Sequence, residues 1–287
     1  MKTFGLYPLL GLQTRPERVR IMLDRLSRGE IRFLCPQSRA AFAAAFPEVT
    51  PVADETFWEA SDLILTLGGD GTTLAAAAEA SRRGKSVFGV NFGHEGFLTA
   101  CAPEDGDKLD LLREGKLIPS PRMMLSLLIN GEERDLALNE ILLAPRERGR
   151  LLSVDLAVNG EKITSFRADA LLFHTPTGST AYAFSAGGAV CSEGLEAIGV
   201  KAVAPYMHRG GHHMLFQADA VFTPGALFVP GGEPEAVADG REPIPLSPTD
   251  RVEIRRAEKD VVLLFAERHD NQSIFCKKQR EAGRERQ

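Results

Sequence analysis

The chain has 287 residues, enough for one large domain or two domains of ordinary size. Hydrophobic residues make up 44% and charged residues 25%, a composition typical of a globular protein with a buried core. The net charge of −5 at pH 7 argues against partners such as nucleic acid or an anionic membrane surface. No apolar run approaches the roughly 20 residues that span a bilayer, so we expect no membrane segment.

The cysteines are scattered along the sequence and form no C-x-x-C pair. This pattern predicts neither a zinc site nor a disulfide framework. The first residues lead directly into a strand-like run and lack the layout of a signal peptide. We therefore expect a cytoplasmic protein with reduced thiols.

Strand-like and helix-like segments alternate over residues 1–120. The predicted strands are FGLYPLL, IRFLCP, DLILTL and SVFGVN. The predicted helices are TRPERVRIMLDRLS, with Thr14 as N-cap, SRAAFAAAF, TTLAAAAEASRRG, closed by Gly84, and EDGDKLDLLREGKL. This alternation predicts an α/β domain with a parallel sheet, which ends near Pro119-Ser120-Pro121.

The pattern changes after Pro121. Asn130-Gly131 and Asn159-Gly160 each lie between two strand-like runs, and Asn-Gly is the strongest short-range signal for a β-hairpin. Further strand-like runs follow: ALLF, AVFTP, ALFVP, RVEIRRA and DVVLLFA. We therefore predict an all-β, antiparallel C-terminal domain at residues 121–267. The basic tail CKKQREAGRERQ is expected to be a solvated end.

The stretch LTLGGDGTTLAAAA places three glycines and a carboxylate between a predicted strand and the next helix. Ligands of a parallel sheet bind at this edge, where glycine amides and a helix N-terminus can surround phosphate oxygens. Asp70 would repel a phosphate unless it accepts a proton from an attacking hydroxyl or helps to hold Mg²⁺. An Asp-Gly turn without a ligand is the structural alternative.

Two further glycine-containing stretches follow apolar runs. GVNFGHEGFL, which starts within the fourth predicted strand and continues beyond it, predicts a second ligand-facing loop. A loop without a ligand is the alternative. HTPTGSTAYAFSAGGAV, after ALLF, supplies hydroxyls, glycine amides and an aromatic ring, which suit the sugar, phosphate and base of a nucleotide. A helix N-cap with small-residue packing is the alternative for this stretch.

The motifs GGDGT, NFGHEGFLT, LNE at 138–140, TPTGSTAYAFSAGG and ADG at 238–240 occur together, in the order and spacing of one family. From its first strand to about Phe265, the chain resembles the NAD kinase family. GGDGT alone is shared with diacylglycerol and sphingoid kinases, whereas TPTGSTAY and the Asn-Glu pair are more specific. The resemblance implies phosphorylation of the 2′-hydroxyl of the adenosine ribose of NAD to give NADP, with ATP or polyphosphate as donor.

The resemblance also implies an architecture and a set of site residues. It implies an α/β domain, a β domain, return of residues 268–287 to the first domain, and a homodimer or homotetramer. Asp70 would be the catalytic base, and the donor site would comprise Gly68, Gly69, Gly71 and Thr72. NAD would contact eight residues: Asn91, Phe92, Asn139, Glu140, Asp169, Thr180, Tyr182 and Ser185.

Within that set, Asn139 and Glu140 would hold the ribose hydroxyls, and Asp169 would contact an amide or amine edge of NAD. The expected metal is Mg²⁺ carried with the donor triphosphate, which needs few protein ligands. A second metal site could involve His208, His212 and His213, but their spacing does not fix convergent ligands. Surface or phosphate-contacting histidines are the favoured interpretation there.

Two other functions remain open from the sequence. A lipid or sphingoid kinase would need an apolar acceptor pocket or an interfacial amphipathic helix, and no such helix is recognisable. A non-catalytic NAD(P)-binding regulator of the same fold would not need Asp70, Asn139 and Glu140, although the histidine-rich segment departs from the family pattern.

Overall fold

The computed structural model describes residues 2–94, 96–208 and 213–284. The chain divides into two compact units, Met1–Arg122 with Lys259–His269, and Met123–Glu258 with Asp270–Gln287. The strands are β1 (Lys2–Pro8), β2 (Ile31–Pro36), β3 (Val49–Val52), β4 (Leu63–Gly68), β5 (Ser86–Asn91), β6 (Ile118–Arg122), β7 (Leu125–Ile129), β8 (Glu132–Ala137), β9 (Glu140–Pro145), β10 (Leu152–Val158), β11 (Glu161–Ala168), β12 (Ala170–His174), β13 (Ala197–Val203), β14 (His213–Gln217), β15 (Phe222–Phe228), β16 (Pro234–Ala238), β17 (Ile244–Pro245), β18 (Val252–Arg256) and β19 (Val261–Phe265). The helices are α1 (Pro16–Leu26), α2 (Ala40–Ala43), α3 (Asp54–Ala60), α4 (Asp70–Arg82), α5 (Gly106–Glu114), α6 (Tyr182–Ser185) and α7 (Asn271–Arg284).

The first unit is built on a sheet whose described strands run in the order β3-β2-β1-β4-β5-β19-β6. All neighbouring strands are parallel except β6, which is antiparallel to β19. Strand β4 is buried along its whole length, as expected for a parallel strand covered on both faces. Helix α1 buries residues spaced by three and four positions: Val19, Met22, Leu23 and Leu26. The predicted α/β domain with a parallel sheet is confirmed.

The start of α1 differs from the sequence prediction. The helix begins at Pro16, and Arg15 precedes it, so Thr14 is not the N-cap. Proline prefers this first helical position because its missing N–H would have no partner there. The Thr14 hydroxyl instead donates to the Gly11 carbonyl oxygen at 2.7 Å. Strand β3 and helix α3 were not predicted, because their segment lacks a clear period in the sequence.

The second unit contains two antiparallel sheets. Their described strands run in the orders β11-β10-β15-β18-β7-β8 and β14-β13-β12-β9-β16-β17. One apolar core draws on both sheets, and Phe173 of β12 packs edge-on against Phe222 of β15. Both predicted Asn-Gly hairpins form, with φ of 56° and 85° at Asn130-Gly131 and of 52° and 85° at Asn159-Gly160. The antiparallel β domain is confirmed, with the short helix α6 and the terminal helix α7 added to it.

Two segments near the C-terminus fall in different units from those expected. Val261–Phe265 was predicted to belong to the β domain, but it forms β19, which lies between β5 and β6 in the first unit's sheet. Residues 268–287 were expected to return to the first domain, whereas the structure groups Asp270–Gln287 with the second unit. There Phe275 of α7 packs edge-on against Phe184 of α6, with ring centroids 4.8 Å apart. Both placements depend on contacts between residues that are far apart in the sequence, and a local sequence pattern does not indicate such contacts.

None of the helices in the described ranges combines the length and the apolar character that crossing a bilayer requires.

Candidate active site

The glycine-rich stretch lies at the carboxyl edge of the parallel sheet. Strand β4 ends at Gly68 and α4 begins at Asp70, with Gly69 as the residue before the helix. A Cβ at Gly68 would lie 2.1 Å from the Thr72 hydroxyl oxygen, so close packing requires this glycine. Gly69 and Gly71, in contrast, face open space. The helix N-terminus is therefore accessible to an anion, the geometry that binds phosphate groups.

The carboxylate of Asp70 holds the loop that follows β5. One carboxylate oxygen accepts the Phe97 N–H at 2.7 Å, and the other accepts the Leu98 N–H at 2.9 Å. A Cβ at Gly96 would lie 2.1 Å from Asp70 Oδ1, so glycine is needed for this approach. The Phe97 carbonyl oxygen in turn accepts a hydrogen bond from His269 Nε2 at 2.7 Å. Asp70 thus has a structural role that the sequence analysis did not predict.

Asn91 and Phe92 shape the same loop. The Asn91 side-chain oxygen accepts the Gly93 N–H at 2.9 Å, and its amide donates to the His94 carbonyl oxygen at 2.5 Å. Such a pattern is a local turn made by an asparagine side chain. Phe92 is buried, and the Arg18 guanidinium lies 5.5 Å from its ring centroid. Both predicted NAD-binding side chains are therefore engaged within the first unit.

A cavity of about 220 Å³ opens beside the glycines. Its walls come from the segments that follow β1, β4 and β5: Leu9, Leu10, Gly11, Leu12, Thr14, Arg15, Gly68, Gly69, Phe92 and Gly93. Arg15 brings a positive charge to this wall, is exposed, and makes no side-chain hydrogen bond or ion pair within the described residues. Arg15 was not predicted as a site residue, because nothing in the local sequence indicates that the chain after β1 returns to this edge.

In the second unit, the LNE stretch is held by the buried carboxylate of Asp239. That carboxylate accepts the N–H groups of Leu138, Asn139 and Glu140 at 2.7, 2.8 and 3.1 Å. Asp239 and the following Gly240 have φ of 48° and 67°, so the ADG motif is a left-handed turn. No role was predicted for Asp239 from this motif. Its side chain sets the backbone of the predicted ribose-binding pair.

Glu140 has an unusual environment. Burial, and secondarily the nearby negative charge of Asp239, raise the pKa of Glu140 to about 7. Its Oε2 atom is buried and has no hydrogen-bond partner in the described part of the chain. Unpaired buried polar atoms are rare in native proteins, and groups with strongly shifted pKa values cluster at functional sites.

The TPTGST stretch packs directly on LNE. The Thr175 N–H donates to the Asn139 carbonyl oxygen at 2.9 Å, and the Thr175 hydroxyl donates to the Leu138 carbonyl oxygen at 2.6 Å. A Cβ at Gly178 would lie 2.1 Å from the Asn139 carbonyl oxygen, so this position requires glycine. The two motifs, 35 or more residues apart in sequence, therefore form one assembly.

The remaining predicted residues of this unit differ in their placement. Thr180 lies in the TPTGST turn, and its hydroxyl lies 3.3 Å from the Thr177 carbonyl oxygen. Tyr182 and Ser185 are the first and last residues of α6, and Tyr182 is 41% exposed, so its ring does not fill the core. Asp169 lies before β12, at the opposite end of that strand from TPTGST. At the usual rise of a strand, this separates it from Thr175 by about 20 Å.

The predicted histidine group is only partly described. His212 and the side chain of His208 lie outside the described part of the chain. His213 Nε2 lies 2.7 Å from His174 Nε2. Within the described residues, no group of three or more His, Cys, Asp or Glu side chains is arranged to hold a metal ion.

Two family models match the chain. The ATP-NAD kinase N-terminal domain matches residues 14–112, and the ATP-NAD kinase C-terminal domain matches residues 138–265. The NAD kinase of Symbiobacterium thermophilum is 34% identical over 207 residues, 70% of this chain and 72% of that protein. The NAD kinase of Corynebacterium glutamicum is 36% identical over 239 residues, 79% of this chain and 78% of that protein.

Solved structures agree with the sequence relatives. Yeast NADH kinase in complex with NADH has a TM-score of 0.80 at 18% identity, over 96% of this chain and 86% of that one. An NAD kinase from Archaeoglobus fulgidus in complex with ATP has a TM-score of 0.73 at 25% identity, over 96% of this chain and 98% of that one. The sequence matches extend over both units, and we conclude that the chain belongs to the NAD kinase family.

Proposed function

We propose that this chain is an NAD kinase that transfers a phosphoryl group from ATP, or from polyphosphate, to the 2′-hydroxyl of the adenosine ribose of NAD. Family membership supports the reaction class. The observation that carries the acceptor assignment is the buried Glu140 Oε2, which has no hydrogen-bond partner among the described residues and belongs to the LNE motif that packs on TPTGST. A hydroxyl donor on the ligand would satisfy this oxygen.

On the acceptor side, Asn139 and Glu140 recognise the ribose. A secondary alcohol is recognised most sharply by buried polar groups, because a ligand that lacks the hydroxyl leaves them unpaired. Asp239 fixes the backbone of both residues through its three hydrogen bonds, which supports a shared task for the pair. The exposed ring of Tyr182 is available to stack on a nucleobase, and Thr180 and Ser185 flank it.

On the donor side, the open backbone at Gly69 and Gly71 and the N-terminus of α4 bind the phosphate chain. Arg15 adds a positive charge at the wall of the adjoining cavity. Mg²⁺ enters with the donor as part of the substrate. Mg²⁺ that is bound to phosphates needs only one or two carboxylates from the protein. The described residues fit this requirement, because Asp70 provides one carboxylate at the glycine stretch and no group of three or more metal-ligating side chains is present among them.

Asp70 acts as the general base. The 2′-oxygen forms a bond to phosphorus, the bond from phosphorus to the leaving phosphate oxygen breaks, and the hydroxyl proton passes to the Asp70 carboxylate. Each carboxylate oxygen has two lone pairs and uses one for a backbone N–H, so a lone pair remains on each for the proton. The two loop hydrogen bonds also fix the direction of the carboxylate, which supports an orienting function for the loop.

Other roles inferred from the resemblance remain proposals. Asp169 contacts an amide or amine edge of NAD, Asn91 and Phe92 shape the loop beside the dinucleotide, and Thr72 and Gly68 maintain the donor loop. We also propose a homodimer or homotetramer in the cytoplasm. The alternative of a lipid or sphingoid kinase has no support in the family comparison, whereas a non-catalytic NAD(P)-binding regulator is distinguished by assay of NADP formation.

We predict that Asp70→Asn lowers kcat for NADP formation by about 10²–10⁴-fold, because an amide cannot accept the hydroxyl proton. NAD affinity, measured by calorimetry, should change little, and raising Mg²⁺ should not restore the rate. Recovery at high Mg²⁺ would make Asp70 a metal ligand instead of a base.

The control for loop loosening is His269→Ala, which removes the hydrogen bond to the Phe97 carbonyl oxygen and leaves the carboxylate in place. Melting temperatures of both variants report the structural effect. An equal loss of kcat in both variants would show that Asp70 acts only by holding the loop.

We predict that Glu140→Gln raises the KM for NAD about 10- to 100-fold, because charged groups form the stronger hydrogen bonds to a hydroxyl. In the wild type, whose Glu140 pKa is raised to about 7, the KM should rise as the pH falls below 7, and this dependence should disappear in the variant. Glu161→Gln, at the exposed first residue of β11, is the control. Equal NAD kinetics in the two variants would contradict the assignment.

The same substitution has a stability signature. The pKa of Glu140 is raised in the folded state. The protonated carboxyl therefore contributes its full stability below about pH 4.5, the pKa in the unfolded chain, and this contribution is lost as the pH rises through 7. Glu140→Gln should therefore stabilise the protein by on the order of 2 kcal/mol at pH 8 and have little effect at pH 4.5, by denaturant unfolding.

We predict that Arg15→Ala raises the KM for ATP about 10-fold, the effect of losing one charge-assisted hydrogen bond to phosphate, and leaves the KM for NAD unchanged. Arg20→Ala removes another exposed positive charge, from α1, which begins directly after Arg15, and is the matched control. If both variants change the KM for ATP equally, the effect is one of overall charge and Arg15 is not a donor-site residue.

A further inference from the structure

Two histidines meet on one face of the second sheet of the β domain. His174, the last residue of β12, is fully buried, and its Nε2 lies 2.7 Å from Nε2 of His213 on β14. Strand β13 runs between them, and the residue opposite His174 on β13 is Gly199. A Cβ at Gly199 would lie 2.0 Å from His174 Nε2. The pair therefore depends on a glycine, and the contact is built into the sheet.

The partners of the outer nitrogens determine the protonation of both rings. His174 Nδ1 lies 2.8 Å from the Thr175 carbonyl oxygen, which can only accept, so Nδ1 carries the hydrogen and Nε2 is bare. His213 Nδ1 accepts the Ala189 N–H at 2.9 Å, so its hydrogen is on Nε2. His213 Nε2–H therefore donates to His174 Nε2. The two rings are neutral and of opposite tautomer.

This chain of hydrogen bonds links the two ends of residues 175–189, which contain the TPTGST stretch and α6. Thr175 opens the segment, and Ala189 follows α6. The backbone around Ala189 is tied back to the segment, because the Gly188 N–H donates to the Ala183 carbonyl oxygen at 2.8 Å. The Cys191 N–H donates to the Ser179 hydroxyl oxygen at 2.9 Å. The histidine pair thus closes a loop that contains Tyr182 and Ser185.

We propose that His174 and His213 are positioning residues that hold the TPTGST segment in its nucleotide-binding conformation, and that acidification releases this hold. The proposal rests on the assignment of this segment to NAD under the proposed function. It concerns the affinity for NAD rather than the phosphoryl transfer step, since neither ring is assigned a contact with a reacting atom.

Protonation of either ring breaks the chain. A proton on His174 Nε2 would face the hydrogen of His213 Nε2, and a proton on His213 Nδ1 would face the Ala189 N–H. Among the described residues of the neighbouring strands, the titratable groups paired with the two histidines are Glu140, opposite His174 on β9, and Lys201, opposite His213 on β13. The Lys201 charge opposes protonation, whereas an ionised Glu140 favours it.

Burial lowers the pKa of His174 to about 4, and burial together with Lys201 lowers the pKa of His213. The unfolded chain takes up protons near pH 6.5, before the folded pair does. The stability that the pair contributes is therefore complete above about pH 6.5 and declines as the pH falls toward 4.

The direct test is ¹⁵N NMR of the histidine rings in the full-length protein without ligand. At pH 7 we expect His174 with hydrogen on Nδ1, His213 with hydrogen on Nε2, and no titration of His174 near pH 6.5. Hydrogen on His213 Nδ1, or ordinary titration of His174, would overturn the proposal. This readout does not depend on enzymatic activity, so its failure is distinct from a failure of the proposed function.

The kinetic test uses His174→Asn, which can keep the donor to Thr175, and His213→Asn, which can keep the acceptor for Ala189; both lose the contact between the rings. Each should raise the KM for NAD about fivefold with kcat within twofold, as expected for one lost hydrogen bond. The double variant should be no worse than either single variant, and it should lose the part of the wild-type rise in KM that occurs as the pH falls from about 5 toward 4, the range set by the pKa of His174. Unchanged KM values, or an equal fall in kcat, would contradict a positioning role.

Gly199→Ala provides an independent variant, because its Cβ would displace the His174 ring without removing either imidazole. It should reproduce the KM effect of His174→Asn. Gly225→Ala, in strand β15 where a Cβ has only a 3.9 Å contact, is the matched control and should have wild-type kinetics. Equal kinetics in the two glycine variants, with both folded by melting temperature, would overturn the proposal.

Discussion

The site in the second unit depends on the carboxylate of Asp239, which accepts three successive backbone N–H groups at the start of β9. A buried carboxylate is costly without such partners, and with them it fixes the backbone of a segment that is otherwise irregular. The TPTGST segment then packs on that backbone through Thr175 and Gly178.

The first unit uses the same device at Asp70. Its carboxylate accepts two N–H groups of a neighbouring loop, and Gly96 permits the approach, as Gly178 does for the Asn139 carbonyl. In both units, therefore, a hydrogen-bond acceptor of one motif lies directly against a glycine of another segment. This pairing explains why the GGDGT stretch supported both a structural and a catalytic interpretation: a carboxylate with free lone pairs can orient a loop and accept a proton.

Much of the fold could be predicted because its signals are local. The strands Ile31–Pro36 and Ser86–Asn91 coincide with their predicted runs, and both Asn-Gly turns have positive φ at both residues. Such features depend on a few neighbouring residues, whose steric and packing preferences act over one turn or one strand. Strand β19 was assigned to the wrong domain for the opposite reason. Its apolar run is compatible with either sheet, and its partner β5 lies far away in sequence.

The sequence by itself determined the order of domains, the family and the candidate residues, since motif composition and spacing are properties of the chain. The tertiary structure alone decided which of those residues meet. In the folded chain, the Asn91 side chain forms hydrogen bonds within its own loop, and Asp169 lies at the far end of β12 from Thr175. Arg15 lines the cavity beside Gly68 and Gly69. The tertiary structure also joined His174 to His213 over Gly199. These relations arise from strand register and from close approach between distant segments, and neither has a local signature in the sequence.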